Sequence, residues 1–146
     1  MDATKTRAAV VVAACAGGLL WTLARGLERV EVHGASMMPT LAPGDRLLVR
    51  RLRAARPRLR RGELVVVVDP RDHRRPVVKR VAALPGQAAL VDGAVVEAGP
   101  GSLIVLGDQV EASTDSRTYG PVALAMVQGR VCYRYAPPER AGRLRW

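Results

Sequence analysis

Ser36 and Lys79 are the residues of this 146-residue chain whose types and surroundings favour nucleophilic chemistry. Ser36 is one of four serines and lies in the stretch 34–39, which reads Gly-Ala-Ser-Met-Met-Pro. Small residues in front and an X-Pro bond behind disfavour helix, so we expect an extended backbone that holds the hydroxyl in a fixed place. A serine hydroxyl is a weak nucleophile and needs a neighbouring base.

The basic composition indicates Lys79 as that base. The chain contains 21 arginines and two lysines, and because Lys5 lies in the N-terminal tail, Lys79 is the one lysine of the body. Arginine does not deprotonate in proteins, whereas a lysine buried among apolar neighbours can lose its proton near neutrality. Val77 and Val81 lie on the same face of the predicted strand. The alternative interpretation is an ordinary lysine on a solvated strand face.

This pair predicts acyl transfer from a peptide. Neutral Lys79 would take the proton of Ser36 as the hydroxyl attacks a peptide carbonyl, and would then return it to the leaving amine. A water activated by the lysine would release the acyl-enzyme. His33 is a weaker candidate base, because no acid is evidently placed to orient its imidazole.

Composition and charge limit the other classes of function. The length is that of one domain, and the core must be aliphatic because 49% of residues are hydrophobic and Phe is absent. The net charge of +10 suits a polyanion, but the tyrosines lie outside the basic run 50–61, so we expect no nucleic acid. Cys15 and Cys132 predict no disulfide framework. His33 and His73 are isolated, so no metal site is expected.

An uncharged segment, residues 8–24, follows a short N-terminal tail, residues 1–7. A helix of this length spans roughly 25 Å, the short end of what crosses a bilayer, so we predict a single transmembrane anchor and then a linker, residues 25–30. A cleaved signal peptide and a buried soluble helix are the alternatives. More arginines follow the segment than precede it, and positive-inside counting alone would keep the body cytoplasmic.

The rest of the chain predicts a compact, mostly β domain over residues 31–137, with a loose tail at 138–146. Short apolar runs divided by Gly and Pro are typical of strands, here at 46–50, 63–68, 77–84, 88–91, 94–97, 103–106 and 129–135. Asp92-Gly93 indicates a tight hairpin turn. The segment from Arg50 to Arg61 contains seven arginines and is interpreted as a solvated loop or as a contact with anionic lipid head groups.

Four blocks of sequence closely resemble the successive boxes of type I signal peptidases, the Ser/Lys peptidases of family S26. They read Gly-Ala-Ser-Met-Met-Pro-Thr-Leu at 34–41 with Pro-Gly-Asp at 43–45, Arg-Gly-Glu-Leu-Val-Val at 61–66, Val-Lys-Arg-Val-Ala-Ala-Leu-Pro-Gly at 78–86, and Gly-Asp at 107–108 with Ser-Thr-Asp-Ser-Arg-Thr-Tyr-Gly-Pro-Val at 113–122. The blocks occur in the family's order and cover most of residues 31–135.

The resemblance implies a membrane-anchored serine endopeptidase with Ser36 as nucleophile, Lys79 as general base and the catalytic domain on the extracytoplasmic face. By motif position, Ser113 resembles the serine that orients the lysine amine, and Asp115 with Arg117 looks like a bracing ion pair. The backbone N–H of Ser36 would serve the oxyanion hole. Family substrates are exported preproteins with small residues at the first and third positions before the cut, and no metal or organic cofactor is implied.

Three departures from the family pattern narrow these expectations. Gly34 occupies the oxyanion position where some members have a hydroxyl residue, and Gln109 stands where the family usually has Asn. The segment between Pro85 and Gly107 leaves no room for an inserted second domain. A short member can be a dedicated maturation peptidase, for example of nickel-type superoxide dismutase. The alternative outside enzymes is a catalytically weak, membrane-tethered β module.

Overall fold

A computed structural model describes residues 26–52 and 58–144, and its body is mostly β, as predicted. The nine strands are β1 (Leu27–Glu31), β2 (Arg46–Arg51), β3 (Leu64–Asp69), β4 (Asp72–Ala83), β5 (Ala88–Val91), β6 (Ala94–Glu97), β7 (Ser102–Leu106), β8 (Val122–Ala123) and β9 (Val127–Ala136). One short helix, α1 (Ser116–Tyr119), and 3₁₀ turns at Val110–Ala112, Leu124–Met126 and Pro138–Arg140 complete the described elements. All seven predicted strands are present.

Seven of the strands form one antiparallel sheet in the order β1-β2-β9-β3-β4-β7-β8. The last strand, β9, lies in the middle of the sheet between β2 and β3. Strands β5 and β6 form a separate hairpin. Its turn residues Asp92 and Gly93 have φ of 49° and 81°, which confirms the predicted tight turn, because two successive positive φ angles are typical of type I′ hairpins.

Apolar side chains on both faces of the sheet form the core. Along β3, Leu64 and Val66 pack into one cluster, and Val65 and Val67 pack into another, as the two-residue period of a strand requires. Met37 belongs to the first cluster and is only 1% exposed. The residue next to Ser36 is therefore fixed in the core.

The structure differs from the predicted boundaries at both ends of the domain. Strand β1 occupies most of the segment predicted as a linker, residues 25–30, and pairs with β2 along its whole length. The charged residues of β1 hid the strand pattern in the sequence. An edge strand tolerates such charges, and here Glu28 and Glu31 each form an ion pair with an arginine of β2. In the predicted loose tail, Gly142 exchanges two backbone hydrogen bonds with Arg134, and Leu144 is buried.

The predicted N-terminal tail, residues 1–7, and the predicted anchor, residues 8–24, lie outside the described residues, as do residues 53–57 of the arginine-rich segment. Within 26–52 and 58–144, no helix combines the length and apolar character needed to cross a bilayer.

Candidate active site

Ser36 begins a turn between β1 and β2, and not an extended segment as predicted. The amide of Met38 donates to the carbonyl of Ala35 at 3.0 Å, and the amide of Leu41 donates to the carbonyl of Met37 at 2.8 Å. The proline at position 39 restricts the backbone of Met38, the residue before it, and leaves Ser36 free to adopt a turn. The Ser36 side chain is half-buried.

Lys79 is buried in the middle of β4, with 3% of the residue exposed. Val65 of β3 lies opposite it in the sheet, and Val77 and Val81 flank it along β4. The alternative of a solvated lysine is therefore wrong. Burial lowers the pKa of the Lys79 amine from its usual value near 10.5, and the negative charge of Asp115 opposes this shift only in part.

Ser113 holds the Lys79 amine in place. Lys79 Nζ donates to Ser113 Oγ at 2.9 Å, and Ser113 Oγ donates to Asp115 Oδ2 at 2.5 Å. Because a hydroxyl has a single proton, which Ser113 gives to Asp115, its oxygen faces Lys79 as an acceptor. The sequence-predicted position of Ser113 beside the lysine is thus observed.

Asp115 is the centre of this part of the site and is completely buried. Besides the Ser113 hydroxyl, it accepts the Gly107 amide at 2.7 Å, the Arg117 amide at 3.0 Å and Arg117 Nη1 at 2.7 Å. The predicted ion pair is present, and in addition its carboxylate accepts a hydrogen bond from Ser113, which itself accepts one from Lys79.

Gly107 lies between the Ser36 turn and Ser113, at the end of β7. A Cβ atom at this position would overlap Ser113 Oγ and would lie 2.6 Å from the carbonyl oxygen of Ser36. That same carbonyl accepts the amide of Gln109 at 2.9 Å. The contact is made by the main chain of Gln109, so replacing the family's Asn does not remove it.

Gly107→Ala should lower kcat/KM by about 100-fold, because the added methyl group must push Ser113 or the Ser36 turn out of place. Gly101→Ala is the matched control, since nothing lies within 4 Å of a Cβ atom there. Peptide cleavage assays on both folded variants measure the effect. An unchanged rate for Gly107→Ala would contradict the close packing of Gly107 against Ser113 and the carbonyl of Ser36.

Three polar residues that sequence reasoning left without a role connect the blocks of the site. Arg80 binds Asp108 through two hydrogen bonds of 2.6 and 2.7 Å, and Thr40 Oγ1 donates to Asp108 at 2.6 Å. Burial alone would raise the pKa of Asp108, but the hydrogen bonds from Arg80 and Thr40 hold that pKa below its usual value. Because Arg80 directly follows Lys79 in a strand, the two-residue alternation of side chains could have predicted that Arg80 lies on the face opposite to Lys79.

A second network binds the carbonyl of Thr40. Arg134 Nη1 donates to Thr40 O at 2.9 Å and to Asp45 Oδ2 at 3.1 Å, and Arg140 lies 3.2 Å from the same carboxylate. Asp45 is 1% exposed. Strand β9 and the segment after it therefore help to position the turn that carries Ser36.

A groove of about 490 Å³ runs beside Ser36. Residues 29–34 form one wall, and residues 74–78 of β4 form the other. Gly34 is exposed in this groove, and a Cβ atom there would have open space around it. The volume is in the range of sites that bind small molecules or short peptide segments.

Comparisons with known proteins identify the family of the chain. The family model described as "Signal peptidase, peptidase S26" matches residues 3–99, a range that includes Ser36 and Lys79. Mitochondrial ATP-independent inner membrane protease subunit 1a of Arabidopsis thaliana is 37% identical over 128 residues, which cover 82% of this chain and 76% of the relative. Mitochondrial inner membrane protease subunit 2 of Mus musculus is 33% identical over 130 residues, with 81% and 74% covered. The chain therefore belongs to the signal peptidase family, peptidase S26.

Proposed function

We propose that this protein is a membrane-anchored serine endopeptidase that removes N-terminal signal or pro-peptides from exported preproteins, with Ser36 as nucleophile and Lys79 as general base. The observation that carries the proposal is the buried Lys79 amine, held 2.9 Å from Ser113 Oγ with its pKa lowered by burial. The family relationship supports peptidase chemistry.

In the proposed reaction, Ser36 Oγ attacks the scissile carbonyl while its proton passes to neutral Lys79 Nζ. The lysine gives this proton to the leaving amine as the peptide bond breaks, which leaves an acyl-serine. Lys79 then removes a proton from water, and the hydroxide attacks the ester. The proton finally returns to Ser36, and the carboxylic product leaves. No metal or organic cofactor takes part.

The oxyanion that forms in each step would be stabilised by the Ser36 backbone N–H in the region of Gly34. Gly34→Ser should raise kcat by about 10-fold with little change in KM, because the open space at position 34 admits a hydroxyl donor. Gly34→Ala controls for the added Cβ atom. Equal rates in the Ser and Ala variants would exclude a role for a donor at this position.

The test of the function itself is cleavage of a preprotein by the full chain in liposomes. We expect no cleavage by Ser36→Ala, which lacks the nucleophile, or by Lys79→Arg, which retains a positive charge but cannot supply a neutral base. Undiminished cleavage by Lys79→Arg would refute the proposed mechanism. A wild-type chain that binds liposomes and cleaves nothing would favour the membrane-tethered β module.

Membrane attachment through residues 8–24 is part of the proposal, since the relatives are named as inner membrane proteases. The segment from Arg50 to Arg61 is proposed to contact anionic head groups, because Arg58 and Arg60 are exposed in a cleft that Arg130 and Arg143 also line. Carbonate extraction of membranes tests the anchor. Protease added to spheroplasts tests the proposed extracytoplasmic position of the domain, because digestion requires the domain to face outward.

Dedicated maturation of one substrate is the second candidate. The hairpin β5–β6 and strand β7 occupy the segment between Pro85 and Gly107, so the described body carries no inserted domain there. Cleavage of a panel of preproteins distinguishes the two: general processing gives comparable kcat/KM across the panel, and a dedicated enzyme cleaves one member efficiently.

A further inference from the structure

The groove beside Ser36 has a positively charged rim. Arg74 and Arg75 are exposed on the β4 wall, and Arg29 is exposed on the β1 wall. The guanidinium of Arg29 lies 5.9 Å from the ring centroid of Tyr135, a cation–π contact that holds it at this edge.

Little negative charge offsets this rim. Among the described residues, Glu31 is the one carboxylate that lines the groove, and it forms an ion pair with Arg46 at 3.5 Å. Asp72 accepts the backbone amide of Arg74, but in the part of the chain that the structure describes no carboxylate lies within 4 Å of the guanidinium of Arg74 or Arg75. Arg75 also acts at longer range on the buried carboxylate of Asp69, whose ion-pair partner is Arg71, so the guanidiniums of Arg74 and Arg75 are both available to a ligand.

The β4 wall also offers backbone to an extended ligand. Residues 76–79 pair with β3 on one side, and the pairing of β4 with β7 begins only at Arg80. Among the described residues, the segment before Lys79 therefore has a free strand edge next to Ser36. A peptide can add to such an edge as a further strand, with side chains directed to its walls.

Strand geometry sets how far the charged rim lies from the cut. Arg75 precedes Lys79 by four residues. Residues 76–79 pair regularly with β3 and the register shifts beyond Pro76, so at ~3.3 Å per residue Arg75 lies at most about 13 Å along the strand from Lys79. An extended peptide has the same rise per residue. The side chain that meets Arg75 thus belongs to a residue about four positions from the cleaved bond.

We propose that this groove selects peptide substrates that carry an acidic side chain about four residues from the cleaved bond, recognised by Arg74, Arg75 and Arg29. The inference rests on the proposed peptidase function and adds a substrate preference to it. Exposed charges in water interact weakly one by one, so three arginines acting on one carboxylate should give about a 10-fold preference in kcat/KM at low salt.

A positional scan tests the proposal with the full chain in neutral phosphatidylcholine liposomes. Glu is placed in turn at each position from six before to six after the cut of one peptide, and Gln at the same position is the reference. We expect the Glu/Gln ratio of kcat/KM to peak at about 10 within three to five residues of the bond and to approach 1 in 0.5 M salt. A flat scan would overturn the preference.

Charge variants identify the residues responsible. Arg74→Gln/Arg75→Gln should bring the peak ratio close to 1, and Arg74→Glu/Arg75→Glu should make Lys preferred over Glu. Glu97→Gln, which removes an exposed charge on the separate β5–β6 hairpin, should change nothing. Arg75 also acts on the pKa of Lys79, but a ratio measured with one enzyme cancels this effect, because both peptides use the same lysine.

Two further outcomes separate the possible failures. If the Gln peptides are cleaved and the Glu/Gln ratio is the same at every position, the peptidase function stands and the acidic selection is rejected. If no peptide is cleaved, both are rejected. If Arg74→Gln/Arg75→Gln loses binding to phosphatidylglycerol vesicles and keeps the wild-type peptide ratio, the arginines contact lipid and the proposal is wrong.

Discussion

Lys79→Met should abolish peptide cleavage and at the same time raise the melting temperature. The catalytic loss should be about 10³-fold or more, because the substitution removes the only proposed base. The gain in stability should be about 1 kcal/mol, because methionine fills similar space without a charge that must be desolvated in a site that is 3% exposed. Cleavage assays and thermal unfolding at pH 7 measure the two effects.

The dependence of stability on pH should show that the buried charge of Lys79 destabilises the folded state. Burial lowers the pKa of Lys79 in the folded state below the unfolded value near 10.5, so the unfolded chain binds more protons between the two values. The penalty is therefore complete below the folded-state pKa and disappears as pH rises to 10.5. Wild type should gain stability over this window, and the Met variant should lack that gain.

Two variants control for the loss of the side chain. Ser36→Ala should be equally inactive with no gain in stability, and Lys79→Arg should be inactive and less stable, because it keeps a buried charge in a larger group. A Met variant that melts at or below the wild-type temperature would show that Lys79 is not destabilising as a buried cation.

Asp115→Asn should cause the second large effect, a loss of about 3–5 kcal/mol in the free energy of unfolding together with about 100-fold lower kcat. The carboxylate accepts four hydrogen bonds, from Ser113, Gly107 and two groups of Arg117. An amide has one oxygen and adds two donors, so some of these partners lose their acceptor inside the core. Urea unfolding measures the stability.

The pH profile distinguishes positioning of Lys79 from a merely structural role. The charge of Asp115 raises the pKa of Lys79, so Asp115→Asn should shift the ascending limb of the plot of kcat against pH toward lower pH. Asp92→Asn is the matched control, because this exposed carboxylate lies 3.5 Å from the same Arg117 and should matter little. A limb that stays in place or moves to higher pH would contradict the electrostatic link.

The sequence predicted the strands and the buried position of Lys79 well because both depend on local signals. Short runs of valine and leucine between glycines and prolines are strands wherever one face can be buried. Lys79 was recognisable because a lysine kept among 21 arginines is exceptional, and alternation along β4 then placed valines beside it. Ser113 and Asp115 followed from the family resemblance, since their positions in a loop carry no periodic signal.

The contacts that hold the site together were less predictable because they join distant parts of the chain. Thr40 and Asp108 are separated by 68 residues, and Arg80 resembles twenty other arginines by type. The turn at Ser36 depends on the packing of Met37 in the core. Pro39, the local signal in the sequence, does not predict that packing. Strand β1 was missed because its charges are balanced across the sheet by β2, a pairing that no local pattern reveals.

The support that β9 gives to the turn of Ser36 has a consequence for when the proposed peptidase becomes active during synthesis. Arg134 grips the carbonyl of Thr40 across 94 residues of sequence, and β9 sits between β2 and β3. During synthesis the Ser36 segment leaves the ribosome long before Arg134 does. On the proposed function, a nascent or prematurely terminated chain would carry Ser36 without the contacts of β9, and proteolytic activity would have to await that strand.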